Sequence, residues 1–127
     1  MAFSAFGDVI ETDGALHYPI NQGTTERYHN LALVDVDELD GQPLISIFKS
    51  QPRPQPIALC LMERHPIASQ AFIPLNQQNY LVVVAKPADT VNPADLIAFR
   101  ARGDQGVNYY RGVWHHPLLV LEPDSCF

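Results

Sequence analysis

The sequence predicts an all-β chain, either a β-sandwich or a small barrel. Three features point there: 11 prolines spread along 127 residues, a succession of short apolar runs of strand length, and turn residues between them. That much proline suits short elements joined by turns better than a helical bundle. One domain spanning 1–127 is expected, because single cores usually reach this size before chains divide.

The elements follow in order. AFSAFG (2–7) reads as the end of a short helix capped by Gly7. ALVDVDE (32–38) alternates, and Asp40-Gly41 is a tight-turn dipeptide before PLISIFKS (43–50), so the two runs form a hairpin candidate. QPRPQP (51–56) cannot be a central strand, since proline lacks the ladder donor; it reads as a loop leading into a strand IALCLMERH (57–65). SQAFIPL (69–75), a polar NQQN turn and YLVVVAKP (80–87) read as the next pair. One further helix is expected, with Asn92 as N-cap, Pro93 at the first helical position and ADLIAFRA placing Leu96 and Phe99 on one side. After the GDQG turn (103–106), GVNYYRGVWHHPLLVLE (106–122) supplies one or two last strands. Closure into a barrel would hide the edges that so many strands otherwise expose.

Charge narrows the partners. With 8 Lys+Arg against 14 Asp+Glu the formal net charge is −6, so the long-range field repels phosphate backbones and anionic membrane surfaces. Nucleic acid and membrane are therefore not expected as partners. Cys60 and Cys126 form no Cys-rich framework, and Met1 opens no basic-then-apolar leader, so a cytoplasmic location is expected. No Gly-rich phosphate loop, GxSxG elbow, CxxC pair or HExxH helix is present, which disfavours nucleotide, serine-hydrolase and zinc-protease chemistry.

The chemistry sits at strand ends. Alternation puts Ile57, Leu59, Leu61, Glu63 and His65 on one face, so an apolar face ends in an acid and an imidazole. Burying such a polar group without a partner costs about 2 to 7 kcal/mol. The pair therefore either emerges into solvent or meets a partner, a metal or a ligand. Gln70 lies close to it if the PIAS turn is tight. In the last segment Val113, His115 and Pro117 share one face while Trp114, His116 and Leu118 share the other, so only one histidine is expected to point inward. Glu63, His65, Gln70 and His115 together would offer two imidazoles, a carboxylate and an amide oxygen, a set suited to a first-row divalent ion such as Ni, Mn, Fe or Zn. A single buried histidine is more often a satisfied structural residue. Arg27, in ERYH, and Arg111, in NYYRG, stand out among the cations that would grip a carboxylate, flanked as they are by aromatic and hydrogen-bonding residues. Trp114 is expected in the core or a subunit contact.

FGDVIE (6–11), INQGTTERYHNLA (20–32), ISIFKSQP (45–52), LMERHPIASQAFIPL (61–75), LVVVA (81–85) and IAFRARGDQGVNYYRGVWHHPLL (97–119) resemble, in order and spacing, the ureidoglycolate lyase family, also called ureidoglycolate hydrolase. The likeness covers nearly the whole chain; its specific segments are ERHP…SQAFIP and GVNY.RGVWHHPL. It implies a cupin-type double-stranded β-barrel (jelly roll) with one or two short helices, a cytoplasmic homodimer, and cleavage of (S)-ureidoglycolate to glyoxylate and urea in allantoin degradation. It also implies a divalent metal, with nickel as the family's ion. In cupin terms ERHPIASQ stands at the first metal-binding motif and His115 at the histidine of the second. The family pattern has a histidine where this chain has Tyr110, and the family chains extend further at both ends, which implies a chain shortened at both termini.

The chemistry implied is the collapse of a hemiaminal carrying a carboxylate, which needs a base for the hydroxyl proton and an acid for the departing urea nitrogen. Glu63 or His65 is the expected base and His115 the ligand or acid. Arg27, Lys49 or Arg111 would hold the carboxylate, Asn108, Arg111 and one histidine line the mouth, and Gln70 also binds the substrate. Two other readings stand beside it: a different metal-dependent enzyme on the same barrel, or a small-carboxylate-binding module without turnover.

Overall fold

The computed structural model describes residues 2–36 and 40–127. Its strands are β1 (Gly7–Ile10), β2 (His17–Ile20), β3 (Thr25–Tyr28), β4 (Lys49–Ser50), β5 (Gln70–Phe72), β6 (Tyr80–Ala85), β7 (Ile97–Ala101), β8 (Gly106–Tyr109), β9 (Trp114–His115), β10 (Leu119–Val120) and β11 (Ser125–Cys126). Every pairing between them is antiparallel. The all-β expectation therefore holds. Among the described residues the ladders form four separate sheets, not one closed barrel: β1-β8-β5, β7-β6 with β9 and β10 on its far edge, β4-β11, and the hairpin β2-β3.

β6 is the centre of the second sheet because YLVVVA can be buried on both faces: Val82, Val83, Val84 and Ala85 are all buried. One edge of β6 takes β7. The other takes β9 at Val84–Ala85 and then β10 at Tyr80–Leu81. Pro117, which has no N–H to give, falls between these two short strands and accounts for the break. Aromatic rings fill the space between the two larger sheets. Phe6, wholly buried, meets Phe99 edge-on at 6.1 Å and Phe3 at 6.2 Å, and Tyr80 meets Phe127 at 4.9 Å. Such tilted contacts are favoured by the ring quadrupoles.

Four local expectations are corrected. Asn92 does cap, accepting from the Ala94 N–H at 3.0 Å, but the helix is one 3-10 turn, Pro93–Asp95, followed by a strand. Ile97, Phe99 and Ala101 are spaced by two and are less exposed than Ala98 and Arg100, so the same apolar residues satisfy a strand, and the ladder to β6 decides. At the N-terminus the turn Phe3–Ala5 closes through Phe6 N–H to Phe3 O, and Gly7 opens β1 instead of capping a helix. Residues 43–48 form no hairpin with 32–36; β4 pairs with β11, leaving Leu44 and Ile45 at 81% and 100% exposure. The end of the expected first strand, 37–38, lies outside the described residues. β5 pairs with β8 in one sheet while β6 belongs to another, so 69–75 and 80–87 are not paired strands.

IALCLMERH is likewise not a continuous strand. Leu59 and Leu61 are exposed, and pairing begins only at Glu63, whose N–H donates to His115 O at 2.9 Å while His115 N–H donates back to Glu63 O at 2.8 Å. This one bridge joins the ends of two distant segments and sets up the site.

Candidate functional site

Three local features bring the site residues together. The Glu63–His115 bridge fixes both backbones. The short PIAS connection returns the chain so that His65 Nε2 lies 3.0 Å from Gln70 Oε1. On the other side, Gln70 pairs across the ladder with Tyr109; directly opposed residues share a face, which carries Gln70 toward His115. A turn at 110–113 then folds the last segment back: Val113 N–H donates to Tyr110 O at 3.1 Å and Gly112 sits at φ 76°, a conformation glycine adopts without steric cost. His65 O accepts from the Gly112 N–H at 2.9 Å, tying this turn to the other half of the site.

The resulting centre is compact. Ligand atoms of Glu63, His65 and His115 all lie within 4.8 Å of one another. His115 Nε2 is 3.0 Å from Gln70 Oε1 and 3.5 Å from a Glu63 carboxylate oxygen. His115 is 1% exposed and the Glu63 side chain 42%, so the imidazole forms the floor and the carboxylate the open rim. Burial holds the His115 ring below the usual imidazole range, and His65 adds to this; the Val113 carbonyl and Glu63 oppose it without reversing it.

The hydrogen-bond chemistry tests the fit of a cation. His115 Nδ1 is 3.0 Å from Val113 O, and a carbonyl only accepts, so Nδ1 carries the proton and the neutral ring turns the Nε2 lone pair toward Gln70 and Glu63. Acceptors then converge from His115, Glu63 and the Gln70 oxygen. A divalent ion satisfies such a set, as does a Gln70 amide turned with its NH₂ toward the rings. The donor types, two imidazoles with a carboxylate and an amide oxygen, fit a first-row ion.

Glu63, His65, Gln70 and His115 are thus brought together; the other candidates are not. Asn108 faces the opposite side of β8 from Tyr109, where it is buried and donates to Asp8 Oδ2 at 3.1 Å and Leu33 O at 2.9 Å. Arg27 lies on the exposed β2-β3 hairpin with its guanidinium 5.9 Å from the Tyr18 ring centroid. Lys49 belongs to β4. Arg111 forks onto Asp35 at 2.7 and 3.1 Å. Trp114 is half-buried against Arg64, whose guanidinium lies 4.7 Å from its ring centroid. Both adjacent histidines are buried, at 1% and 3% exposure, correcting the expectation that only one would be: His116 occupies the far face of β9, its Nδ1 2.8 Å from Pro117 O.

Tyr110, which stands where the family pattern has histidine, lies away from the centre. Its hydroxyl donates to Asp8 Oδ1 at 2.6 Å. Burial alone would raise the Asp8 pKa, but the bonds from Tyr110, Asn108 and the Leu33 N–H outweigh it and hold the carboxyl below its usual value. A depressed carboxylate contributes stability above its unfolded pKa and loses it as pH falls through the folded one. Tyr110→Phe is therefore expected to cost about 1 kcal/mol at neutral pH. Urea denaturation should show the gap to the parent closing in acid, as Asp8 protonates.

Sequence reasoning missed Tyr109. Its ring lies 4.2 Å from that of His115, with only 6° between the planes. The signal was the turn centred on Arg111-Gly112, which folds residue 115 back over 109.

The ureidoglycolate lyase family profile matches residues 1–127. The chain belongs to the ureidoglycolate lyase family. Among its relatives, the ureidoglycolate lyase of Burkholderia cepacia is 56% identical over 126 residues, 99% of this chain and 71% of the relative. That of Brucella melitensis biotype 2 is 57% identical over 99% of this chain and 74% of the relative, and that of Burkholderia mallei 52% over the same shares. No helix among the described residues is long and apolar enough to cross a membrane.

Proposed function

We propose that this chain cleaves ureidoglycolate to glyoxylate and urea, and that Glu63, His65, Gln70 and His115 form its active centre. The observation that carries the reading is the convergence of two imidazoles and a carboxylate within 4.8 Å in a member of the ureidoglycolate lyase family. The reaction consumes no water. The hydroxyl proton leaves, the C–O bond becomes a carbonyl, the C–N bond breaks, and the urea nitrogen takes a proton.

Glu63 is the base in this scheme: its carboxylate is the exposed member of the set and accepts the hydroxyl proton. His65 and His115 present Nε2 atoms to the same point, 3.0 Å each from Gln70 Oε1, and would hold a divalent ion, nickel by the family resemblance, with Gln70 completing the set. Such an ion supplies Lewis-acid polarisation of the substrate oxygen. Without water to donate, the proton taken by Glu63 is the one available to return to the departing nitrogen. Arg111 is the cation we assign to the substrate carboxylate: its neighbour Gly112 is bonded to His65 O, and taking the substrate would require its guanidinium to give up the fork onto Asp35.

The same reading includes one catalytic unit over 1–127 on a cupin-like scaffold, acting in the cytoplasm within allantoin breakdown. It also includes assembly with a second copy. Exposed Leu44, Ile45 and Ile47, on a segment outside the strands, support a subunit contact, because contiguous exposed apolar side chains mark interaction surfaces. Light scattering should return the mass of two chains.

Incubation with racemic ureidoglycolate, with and without chelator, tests the activity by NADH-coupled reduction of the glyoxylate released. Release well above the spontaneous breakdown is expected, and chelation should diminish it. Release no faster than the blank would overturn the assignment.

A further inference from the structure

We propose that Tyr109 is a positioning residue for His115, holding the imidazole in the plane that keeps its Nδ1–H on the Val113 carbonyl and so aims its Nε2 into the centre. The proposal rests on reading Glu63, His65, Gln70 and His115 as one site.

Two constraints are needed to aim an imidazole: the ring plane must be set, and the proton must sit on the distal nitrogen. The Val113 carbonyl, 3.0 Å from Nδ1, supplies the second, in the way that partners beyond the ligating shell fix a ligand histidine. It cannot supply the first, since one hydrogen bond leaves the ring free to rock about it. Tyr109 supplies that: the rings lie parallel within 6° at 4.2 Å, so rotation of His115 out of its plane would drive one edge into the phenol.

Tyr109 can act as a wall because it does not move itself. It is 4% exposed, and Phe72 and Phe3 meet its ring at steep angles, 6.1 and 6.3 Å away. Its backbone is held on both sides in the β1-β8-β5 sheet, by Gly7 and by Gln70. The pairing with Gln70 gives the arrangement a further use: the residue that sets the His115 plane is cross-strand neighbour to the one whose Oε1 both imidazoles address. The stack itself uses the ring and not the hydroxyl. The Tyr109→Phe variant keeps the ring and should keep the function; Tyr109→Leu and Tyr109→Met keep apolar bulk but no flat surface.

Long-range ¹H–¹⁵N spectra of the metal-free protein, taken where the ring is neutral, read plane and tautomer directly. In the parent, the His115 ring protons should be shifted upfield by the tyrosine ring and the nitrogens should report a single Nδ1–H tautomer. Tyr109→Phe should match it. Tyr109→Leu and Tyr109→Met should show mixed tautomers, and nickel(II) chloride titration should give affinity weakened by about 10- to 100-fold, the scale seen when support of a ligand histidine is lost. Should both aliphatic variants fail to fold, the parent's ring-current shift still decides, because unshifted His115 protons would refute the stack. Variants that retain the single tautomer and the parent's nickel affinity would also overturn the proposal. If the parent binds no nickel and forms no glyoxylate while the spectra behave as described, the positioning stands and the reading of the site as a lyase centre falls.

Discussion

Replacing His115 by Asn is expected to lower glyoxylate release from ureidoglycolate by about 10²- to 10⁴-fold, the range spanned by positioned acid, base and ligand groups. Asn keeps a polar side chain but cannot place a donor atom at the Nε2 position, 3.0 Å from Gln70 and 3.5 Å from Glu63. The ring is also buried, so its loss leaves a cavity and lowers stability. His116→Asn separates the two effects: that imidazole is buried as well but lies on the other face of β9. It should lose comparable stability and keep its turnover per folded molecule. Glu63→Gln and His65→Asn, both on half-buried residues, should lose activity with less change in melting temperature. Turnover at the parent's rate in Glu63→Gln, His65→Asn and His115→Asn together would remove the centre from the mechanism.

How far the site could be read before the fold was known depends on the distance over which each signal acts. Glu63 and His65 sit two residues apart, and Gln70 follows after a four-residue turn; alternation and turn length are local properties, so their meeting was legible. Tyr109 was not, because its contact with His115 depends on how tightly 110–113 turns, and Asn108, its neighbour, was placed at the mouth when it faces Asp8. The same division runs through the fold. The apolar spacing of Ile97 and Phe99 allows a strand as readily as Leu96 and Phe99 allow a helix, and only the ladder with β6 chooses. Lys49–Ser50 finds its partner at Ser125–Cys126, a pairing across most of the chain that no local pattern near Asp40-Gly41 could indicate. Where pairing is non-local, tertiary contacts override propensity.

Gly7→Ala is expected to lower stability by about 3 kcal/mol, the upper range for forcing extra atoms into a packed interior. For a chain of this size that is a fall of roughly 10 °C in melting temperature. A Cβ at residue 7 would lie 2.0 Å from Asn108 O and 3.2 Å from Phe3 Cε1, and the first is backbone, which cannot swing aside. β8 has no room to retreat, because β5 holds its other edge and Phe6, wholly buried, fixes the chain just before the glycine. Gly14→Ala is the contrast: nothing lies within 4 Å of its Cβ, and the cost there comes only from its φ of +69°, about 1 to 2 kcal/mol. The two variants should therefore diverge in circular-dichroism melts, with Gly7→Ala the lower. They should diverge in function as well, since Gly7 pairs with Tyr109 and any shift of β8 tilts the ring that lies against His115. A Gly7→Ala protein that melts with the parent would show that β1 can move off β8 at little cost, and the support of the site by this sheet would then be weaker than the packing implies.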